Sequence, residues 1–407
     1  MDIHVLVGQL GDPDGDVRVA ARDALVAMGP VPGVVAEIVT ELLDEHSPVI
    51  PIVAAFVLHS YGDAAVGPVT EALGVAPNRK VRERVDWAYS RLEPSDPVSF
   101  VAALRHRSAA VRNSAAQALR ELGAAPYIVD LLPLLGDPDP DVQATVRRAI
   151  FGAGPDAVPM LQRLRRTPGR HRPFALTALA EVGGWTALDP ADQAAVRRLI
   201  RIKLPRERAE PMHLCDGWYA FPTTESSERT QAAILDAFGL SDAEPVTMRL
   251  GNSAWNNGRS YDADRKHRAC TAVYVSPSVN GWTLVFGLHP ADAHKAHTPA
   301  VVSSRCAALS KQFGTCHWYW RWDGDETAAW CIAEGGAVVR YFNSEDPDAL
   351  VGPDWEGPGI ANARAVAAQL SVNPEAFDAE THIEGHGILA LTKCGRRYGL
   401  PPGALAI

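Results

Sequence analysis

The sequence lacks the short motifs that mark many catalytic and metal-binding proteins. None of its six cysteines belongs to a C-x-x-C pair, so neither a zinc ribbon nor a dithiol redox motif is indicated. No G-x-S-x-G, Walker or G-x-G-x-x-G segment occurs, which removes the usual signals of hydrolases, nucleoside triphosphatases and dinucleotide enzymes. We therefore expect no metal centre and no cofactor.

Long apolar runs are missing as well. No stretch of about 18 apolar residues occurs, and the first residues contain no basic segment followed by an apolar one. All six cysteines lie beyond residue 208, in a pattern that favours reduced thiols. At 407 residues and 47% hydrophobic content, the chain is long enough for two or three globular domains. We predict a cytoplasmic protein with no membrane partner.

A helical repeat is present in the first half. In residues 105–123, Val111, Ala115 and Leu119 recur every fourth residue, which predicts an amphipathic helix capped by Ser108 and ended by Gly123. Further copies of this pattern stand 30 to 32 residues apart, and a sixth, shifted copy begins at residue 170. A helix with such small apolar residues must stack on its copies to be stable. The other anchor sets are Val17/Ala21/Leu25, Val49/Val53/Val57, Val81/Val85/Tyr89 and Val142/Val146/Ile150.

The repeat resembles the short HEAT-like repeats of about 30 residues. The D-x-D-V-R-x-x-A-x-x-A-L pattern of residues 14–25 carries the resemblance, which extends over residues 1–208. It implies an α-solenoid of helix pairs with a concave surface that holds a partner. Members of this group include scaffolds, chromophore lyases and DNA glycosylases, so the resemblance assigns no chemistry.

Charge is distributed unevenly along the chain. Residues 1–100 carry a net charge of −8, residues 101–208 carry +7, and the remainder carries −8. The basic part can solvate a capping helix, dock an acidic surface or bind phosphate groups, including those of a nucleic acid. The candidate binding arginines are Arg163, Arg166, Arg170, Arg172, Arg198 and Arg201.

The second half has a different pattern. We interpret residues 209–224 as a linker and residues 225–407 as an α+β domain with a mainly antiparallel sheet and helices on one face. Helices are predicted at 225–240, 299–314 and 362–372, with a hairpin around Asn280-Gly281 and strands at 315–322 and 328–342. The motifs G-W-T-L-V-F-G, L-S-x-x-F-G and A-W-x-I-A-E-G-G-x-V-V-R resemble an uncharacterised domain of high-GC bacteria, to which no activity is attached.

Two groups of histidines lie close together in the second half. Neither has the spacing of an established metal site, and we expect exposed loops at both places. Cys316 and His317 are neighbours on a predicted strand, so they point to opposite faces and do not form a nucleophile pair. The two groups are His289, His294 and His297, and His382, Glu384 and His386.

The strand at 315–322 is the strongest candidate site. We expect Trp318, Trp320 and Trp322 to face the core, which would leave His317, Tyr319 and Arg321 exposed for an acidic ligand or peptide. If the tryptophans instead point outward, they form a binding patch. Glu334 and Arg340 could complete a charged pocket with Arg321, although a structural salt bridge also explains them.

Three functions remain open at this point. A scaffold or accessory protein that binds a protein or peptide is favoured, because a repeat stack offers a large surface without requiring catalysis. The second hypothesis is an enzyme of specialised metabolism with a pocket at the domain junction, in which His317 and Glu334 would be catalytic residues. The third is nucleic-acid binding through residues 163–208.

Overall fold

The computed structural model describes most of the chain and divides it into two compact units. The two units are Met1–Ala178, here called the helical unit, and Leu179–Ile407, here called the sheet unit. The described residues are 2–212, 214, 216–257, 270–287, 299–322, 324, 326–352, 359–400, 405 and 407.

The first half is helical, as the repeat pattern predicts. The helix predicted over 105–123 spans Ala109–Glu121; Ser108 is its N-cap residue without a side-chain cap bond, and Gly123 follows with φ 93°. The helices are α1 Ile3–Gly8, α2 Gly15–Met28, α3 Pro32–Leu43, α4 Pro51–Ser60, α5 Asp63–Val75, α6 Arg79–Tyr89, α7 Val98–Ala103, α8 Ala109–Glu121, α9 Ile128–Leu131, α10 Pro140–Gly152, α11 Val158–Arg166 and α12 Arg172–Ala187.

The repeat anchors form the core of the helical unit. Val111, Ala115 and Leu119 are completely buried in α8, and the corresponding residues of α6 and α10 are also buried. In α4 the register differs slightly, since Val53 is half-buried and Ala54 and Val57 are buried. The small apolar side chains of each helix are therefore buried by contacts with neighbouring helices and not by residues of the same helix.

A side-chain hydrogen bond recurs beside the anchors. The residue after the anchor valine donates to the main-chain oxygen six residues earlier in three repeats. Arg18 donates to the oxygen of Asp12 at 2.6 Å, Arg112 to His106 at 2.9 Å, and Gln143 to Asp137 at 2.6 Å. These bonds satisfy carbonyl groups in the turn that precedes each helix and so fix the turn against the helix.

Arg112 also joins two repeats. Its guanidinium donates to both carboxylate oxygens of Asp137, each at 2.7 Å, and the two side chains are only 13% and 6% exposed. Burial alone would raise the pKa of Asp137, but the bonds from Arg112 and from the amide of Asp139 lower it. The Asp-Pro turn before α10 is therefore bound to α8 by a bidentate ion pair.

The second half contains an antiparallel sheet with the strand order β2-β9-β3-β4-β1-β5-β6-β7, and β8 pairs with β3. The strands are β1 Trp218–Pro222, β2 Ser241–Val246, β3 Ala272–Val279, β4 Trp282–Phe286, β5 Thr315–Arg321, β6 Ala328–Glu334, β7 Ala337–Asn343, β8 Ile383–Glu384 and β9 Gly387–Leu391. The helices are α13 Pro190–Lys203, α14 Ser227–Ala237, α15 Met248–Asn257, α16 Pro299–Phe313, α17 Ala363–Leu370 and α18 Lys393–Tyr398.

Several local predictions for the second half are confirmed. Helices occupy the three predicted segments, and β3 and β4 form a hairpin in which Val279 pairs with Trp282. Asn280 and Gly281 make the two-residue turn with φ of 49° and 82°, the left-handed conformation that this pair favours. The predicted turn at Gly335–Gly336 joins β6 to β7.

The predicted boundaries need correction. Residues 209–224 are not a simple linker, because β1 lies there and pairs with β4 on one side and β5 on the other. Residues 179–208 belong to the sheet unit, where α13 packs near β2 and Arg197 reaches Glu244 at 3.4 Å. Their helical pattern made them resemble the end of the repeat array, whereas their contacts are with the sheet.

Helices cover both faces of the sheet, and the expectation of helices on one face is wrong. On one face, Ile234 of α14, Phe238 just after it and Cys306 of α16 share a core with Trp318. On the other face, Trp255 of α15 contacts Phe286, and α17 packs over β5 and β6. Both faces of the central strands are consequently buried.

The Arg112–Asp137 pair gives a test of the helical unit. We expect Arg112→Met to lower the free energy of unfolding by about 3 kcal/mol, because it leaves a buried carboxylate without its partner. Arg79→Met is the matched control, since Arg79 pairs with Glu83 on an exposed surface; its loss should be below about 0.5 kcal/mol. Urea unfolding followed by circular dichroism measures both, and equal losses would contradict a structural role for the buried pair.

Candidate functional site

The row His317, Tyr319 and Arg321 on β5 is not an exposed surface. His317 is 6% exposed, the ring of Tyr319 is completely buried, and Arg321 is half-buried at the strand end. The expectation of an exposed polar row is wrong because α17 and the loop after it cover this face. Tyr319 stacks on Trp218 with ring centroids 5.2 Å apart, and the ring of Trp282 lies 4.8 Å from that of His317.

His317 takes part in a buried hydrogen-bond network. Its Nδ1 lies 3.0 Å from the hydroxyl of Tyr319, and this hydroxyl lies 2.9 Å from the hydroxyl of Ser371. Burial lowers the pKa of His317 to about 4, so the imidazole is neutral near pH 7. The network joins β5 to the end of α17. A structural role of His317 accounts for these contacts.

The three tryptophans of β5 and its end differ in burial. Trp318 is 4% exposed and lies in the core beneath α16, in agreement with the inward interpretation. Trp320 and Trp322 are half-buried. The strand therefore offers no row of three exposed tryptophans for a partner.

The charged pocket proposed from Arg321, Glu334 and Arg340 is not assembled. Glu334 is exposed and pairs with Thr315 at one end of β5, whereas Arg321 lies at the other end opposite Ala328. These ends are six positions apart along the strand, a distance of about 20 Å. Arg340 is half-buried on β7, in the row of Ile332 and His317.

The six candidate arginines are exposed but belong to both units. Arg163 and Arg166 lie on α11, Arg170 precedes α12 and Arg172 begins it, all in the helical unit. Arg198 and Arg201 lie on α13 of the sheet unit. They therefore do not form one basic surface within a single unit.

The predicted histidine groups contribute no metal centre among the described residues. His289, His294 and His297 lie outside them, and His382 and Glu384 are exposed around β8, next to the half-buried His386. A group that the repeat analysis overlooked is His4 with Glu37 and Glu41, whose ligand atoms lie within 4.8 Å of one another. His4 is an exposed partner of Glu37 at 2.5 Å, and the hydrogen bond that its ring donates to the Glu37 carboxylate raises the pKa of His4.

Two exposed aromatic side chains mark a surface on the helical unit. Phe56 of α4 is 58% exposed and Trp87 of α6 is 47% exposed. They stand 31 residues apart, which is also the offset between the buried Leu58 of α4 and the buried Tyr89 of α6, so the two rings hold equivalent positions in the observed register. Ile52 lies one turn before Phe56 with 44% exposure. The sequence anchors of these two helices are 32 residues apart, so the sequence alone did not show this equivalence.

An acidic groove adjoins Trp87. It has a volume of about 460 Å³ and is lined by Asp86, Trp87, Ser90, Arg91 and Glu121. The guanidinium of Arg91 lies 5.7 Å from the centre of the Trp87 ring. Burial raises the pKa of Asp86; the hydrogen bond from Ser114 lowers it, and the charge of Glu121 raises it further. A cation placed between the two carboxylates would relieve their repulsion.

Comparisons with known proteins do not assign a family. No family model matches the chain, and no match was found among curated proteins. Crystal structures of two engineered proteins from the Northeast Structural Genomics Consortium are 22% and 20% identical, cover 44% of this chain and 96% and 97% of their own, and have TM-scores of 0.21. Among the described residues, no helix combines the length and apolar character needed to cross a membrane.

The buried state of His317 predicts a pH effect on stability. The unfolded imidazole takes up a proton near pH 6.5, whereas the folded one does so only near pH 4. Between these values the unfolded state binds more protons than the folded state. The free energy of unfolding therefore falls as the pH is lowered, by about 3 kcal/mol between pH 6.5 and pH 4. Urea unfolding followed by tryptophan fluorescence at several pH values measures this effect.

The matched variants are His317→Asn and His382→Asn. The first should remove this part of the pH dependence, because its side chain does not titrate. The second changes an exposed histidine and should leave the pH dependence of the free energy of unfolding unchanged. An unchanged pH profile in His317→Asn would contradict the neutral, buried state.

Proposed function

We propose that the helical unit binds a basic segment of a partner protein. In this proposal, an apolar side chain of the partner packs on the surface formed by Ile52, Phe56 and Trp87, called here the aromatic surface. A lysine or arginine of the same segment enters the groove beside Asp86 and Glu121. The observation that carries the proposal is the pair of half-exposed aromatic rings at equivalent positions of adjacent repeats.

Contacts between α4 and α6 support one continuous surface. Arg84 of α6 donates to the oxygen of Val49, just before α4, at 3.1 Å. Near the other ends, Nδ1 of His59 lies 2.8 Å from the oxygen of Arg91. The two helices thus run in parallel side by side. Phe56 lies one turn before His59 and Trp87 one turn before Arg91, so their rings belong to neighbouring parts of one surface.

Charge complementarity supports a basic occupant. Residues 1–100 carry a net charge of −8, and the groove contributes Asp86 and Glu121 next to Trp87. Exposed tryptophan and arginine are the residue types that dominate binding energies at interfaces. Trp87 on α6 and Arg91, two residues beyond the end of that helix, offer both, and the helix holds Trp87 in place before a partner arrives.

The repeat character suits this role. We infer that the helical unit is a HEAT-like α-solenoid, an interpretation supported by the five anchor sets at intervals of 30 to 32 residues. Such arrays present equivalent positions of successive repeats along one surface, and here two such positions hold aromatic rings. Cytoplasmic location remains part of the proposal, and the five described cysteines, which form no disulfide, are consistent with it.

The proposal predicts which peptides the full chain selects. A phage-displayed peptide library should yield sequences that combine lysine or arginine with a large apolar residue. Trp87→Ala and Phe56→Ala should each weaken binding of the best synthetic peptide more than about tenfold, as expected for interface hot spots. Fluorescence anisotropy with a labelled peptide measures the dissociation constants.

Two further variants separate the surface from general effects. Phe151→Ala is the matched control, because Phe151 of α10 is an aromatic residue of the same unit with 45% exposure. It should leave binding unchanged. Glu121→Gln should weaken binding and reduce its salt dependence. Selection of acidic peptides, or equal losses in Phe151→Ala and Trp87→Ala, would overturn the proposal.

A further inference from the structure

A histidine and two glutamates at the start of the helical unit form a group of the metal-ligand type. His4 lies on α1, and Glu37 and Glu41 lie one turn apart on α3, where residues at this spacing share a face. One ligand atom from each residue lies within 4.8 Å of those from the other two. Because His4 and Glu37 are 33 positions apart in the sequence, no short motif shows this group.

Negative charge surrounds the ring of His4. The hydrogen bond to Glu37 and the charge of Glu37 raise the pKa of His4; desolvation lowers it, and the charges of Asp2 and Glu41 raise it. Three carboxylates therefore act on one imidazole, whose side chain is 76% exposed and within reach of an ion from solvent. A divalent cation placed among His4, Glu37 and Glu41 would neutralise the charge of both glutamates.

A hydrogen bond from outside the group orients Glu41. The hydroxyl of Ser47 donates to Oε2 of Glu41 at 2.5 Å and accepts from the amide of Val49 at 3.1 Å. Each carboxylate oxygen has two lone pairs, so this bond leaves positions for a metal ion. Outer hydrogen bonds of this kind fix the direction of a metal ligand before the ion arrives. Glu41 is therefore held in place, whereas the exposed side chain of His4 can adjust to an ion.

We propose that His4, Glu37 and Glu41 bind a zinc ion, with a water molecule as the fourth ligand. One imidazole nitrogen together with carboxylate oxygens suits tetrahedral zinc, whereas calcium and magnesium prefer oxygen ligands alone. Zinc bonds of about 2.0–2.2 Å place neighbouring ligand atoms about 3.3 Å apart. Nδ1 of His4 and Oε1 of Glu37 are 2.5 Å apart, so the ion replaces their hydrogen bond and separates the two atoms by about 1 Å.

The bound ion joins α1 to α3. With only six residues, α1 has a length at which an isolated helix is not stable in water. A metal bridge to the longer α3 stabilises it, because the ion binds both helices only when they lie folded side by side. The site includes no residue of the aromatic surface, so failure of one proposal does not affect the other.

Isothermal titration of the full chain with zinc chloride tests the site. We expect one equivalent of zinc that His4→Asn and Glu37→Gln each lose or bind about 100-fold more weakly, since each variant removes a ligand. His46→Asn is the matched control, because His46 is an exposed histidine that pairs with Glu45 at 3.2 Å outside the three-residue group; its titration should equal that of the native chain. Zinc binding that is unchanged in His4→Asn, or equally reduced in His46→Asn, would overturn the proposal, as would equal affinity for calcium or magnesium.

Two further measurements separate a built site from general attraction of cations. Ser47→Ala should weaken zinc binding by about tenfold, because it removes the bond that orients Glu41. Zinc should raise the midpoint of thermal unfolding of the native chain and leave that of Glu41→Gln unchanged. Far-UV circular dichroism of each variant should match the native chain, since the substituted residues are exposed or half-buried. An equal rise of the midpoint in Glu41→Gln would overturn the proposed bridge.

Discussion

A sheet with large aromatic side chains on both faces must be covered on both faces, and the arrangement of the sheet unit follows from this constraint. Trp218 and Tyr319 stack on one face, while Trp318 lies in the core on the other. Burial of such rings supplies a large part of the apolar area removed from water on folding. The helices on the two faces provide this cover, and they also bury His317.

The consequence for function is that the most conspicuous sequence feature is structural. A strand that alternates tryptophan with histidine and tyrosine suggests a polar surface opposite a core. The catalytic hypothesis for His317 and Glu334 depended on that surface, and its basis is gone because one residue is buried and the other lies exposed at a strand end. The candidate arginines of the nucleic-acid hypothesis lie on both units, and that hypothesis stays a prediction.

Much of the local structure could be predicted from the sequence. Regular spacing identified α8, and Asn280-Gly281 identified its hairpin, because short-range geometry depends on neighbouring residues. The position of β1 in the sheet could not be predicted. Its five residues lie between turn-rich segments, and they form a strand because they pair with β4 and β5, which are distant in sequence.

Trp318 and Tyr319 of β5 are buried, whereas Phe56 and Trp87 of the helical unit are exposed. Hydroxyl-radical footprinting of the full chain, read by mass spectrometry, measures side-chain accessibility directly. Phe56 and Trp87 should be oxidised rapidly, whereas Tyr319 and Trp218 should be protected until the chain unfolds. Rapid oxidation of Tyr319 together with protection of Phe56 and Trp87 in the isolated chain would contradict this assignment.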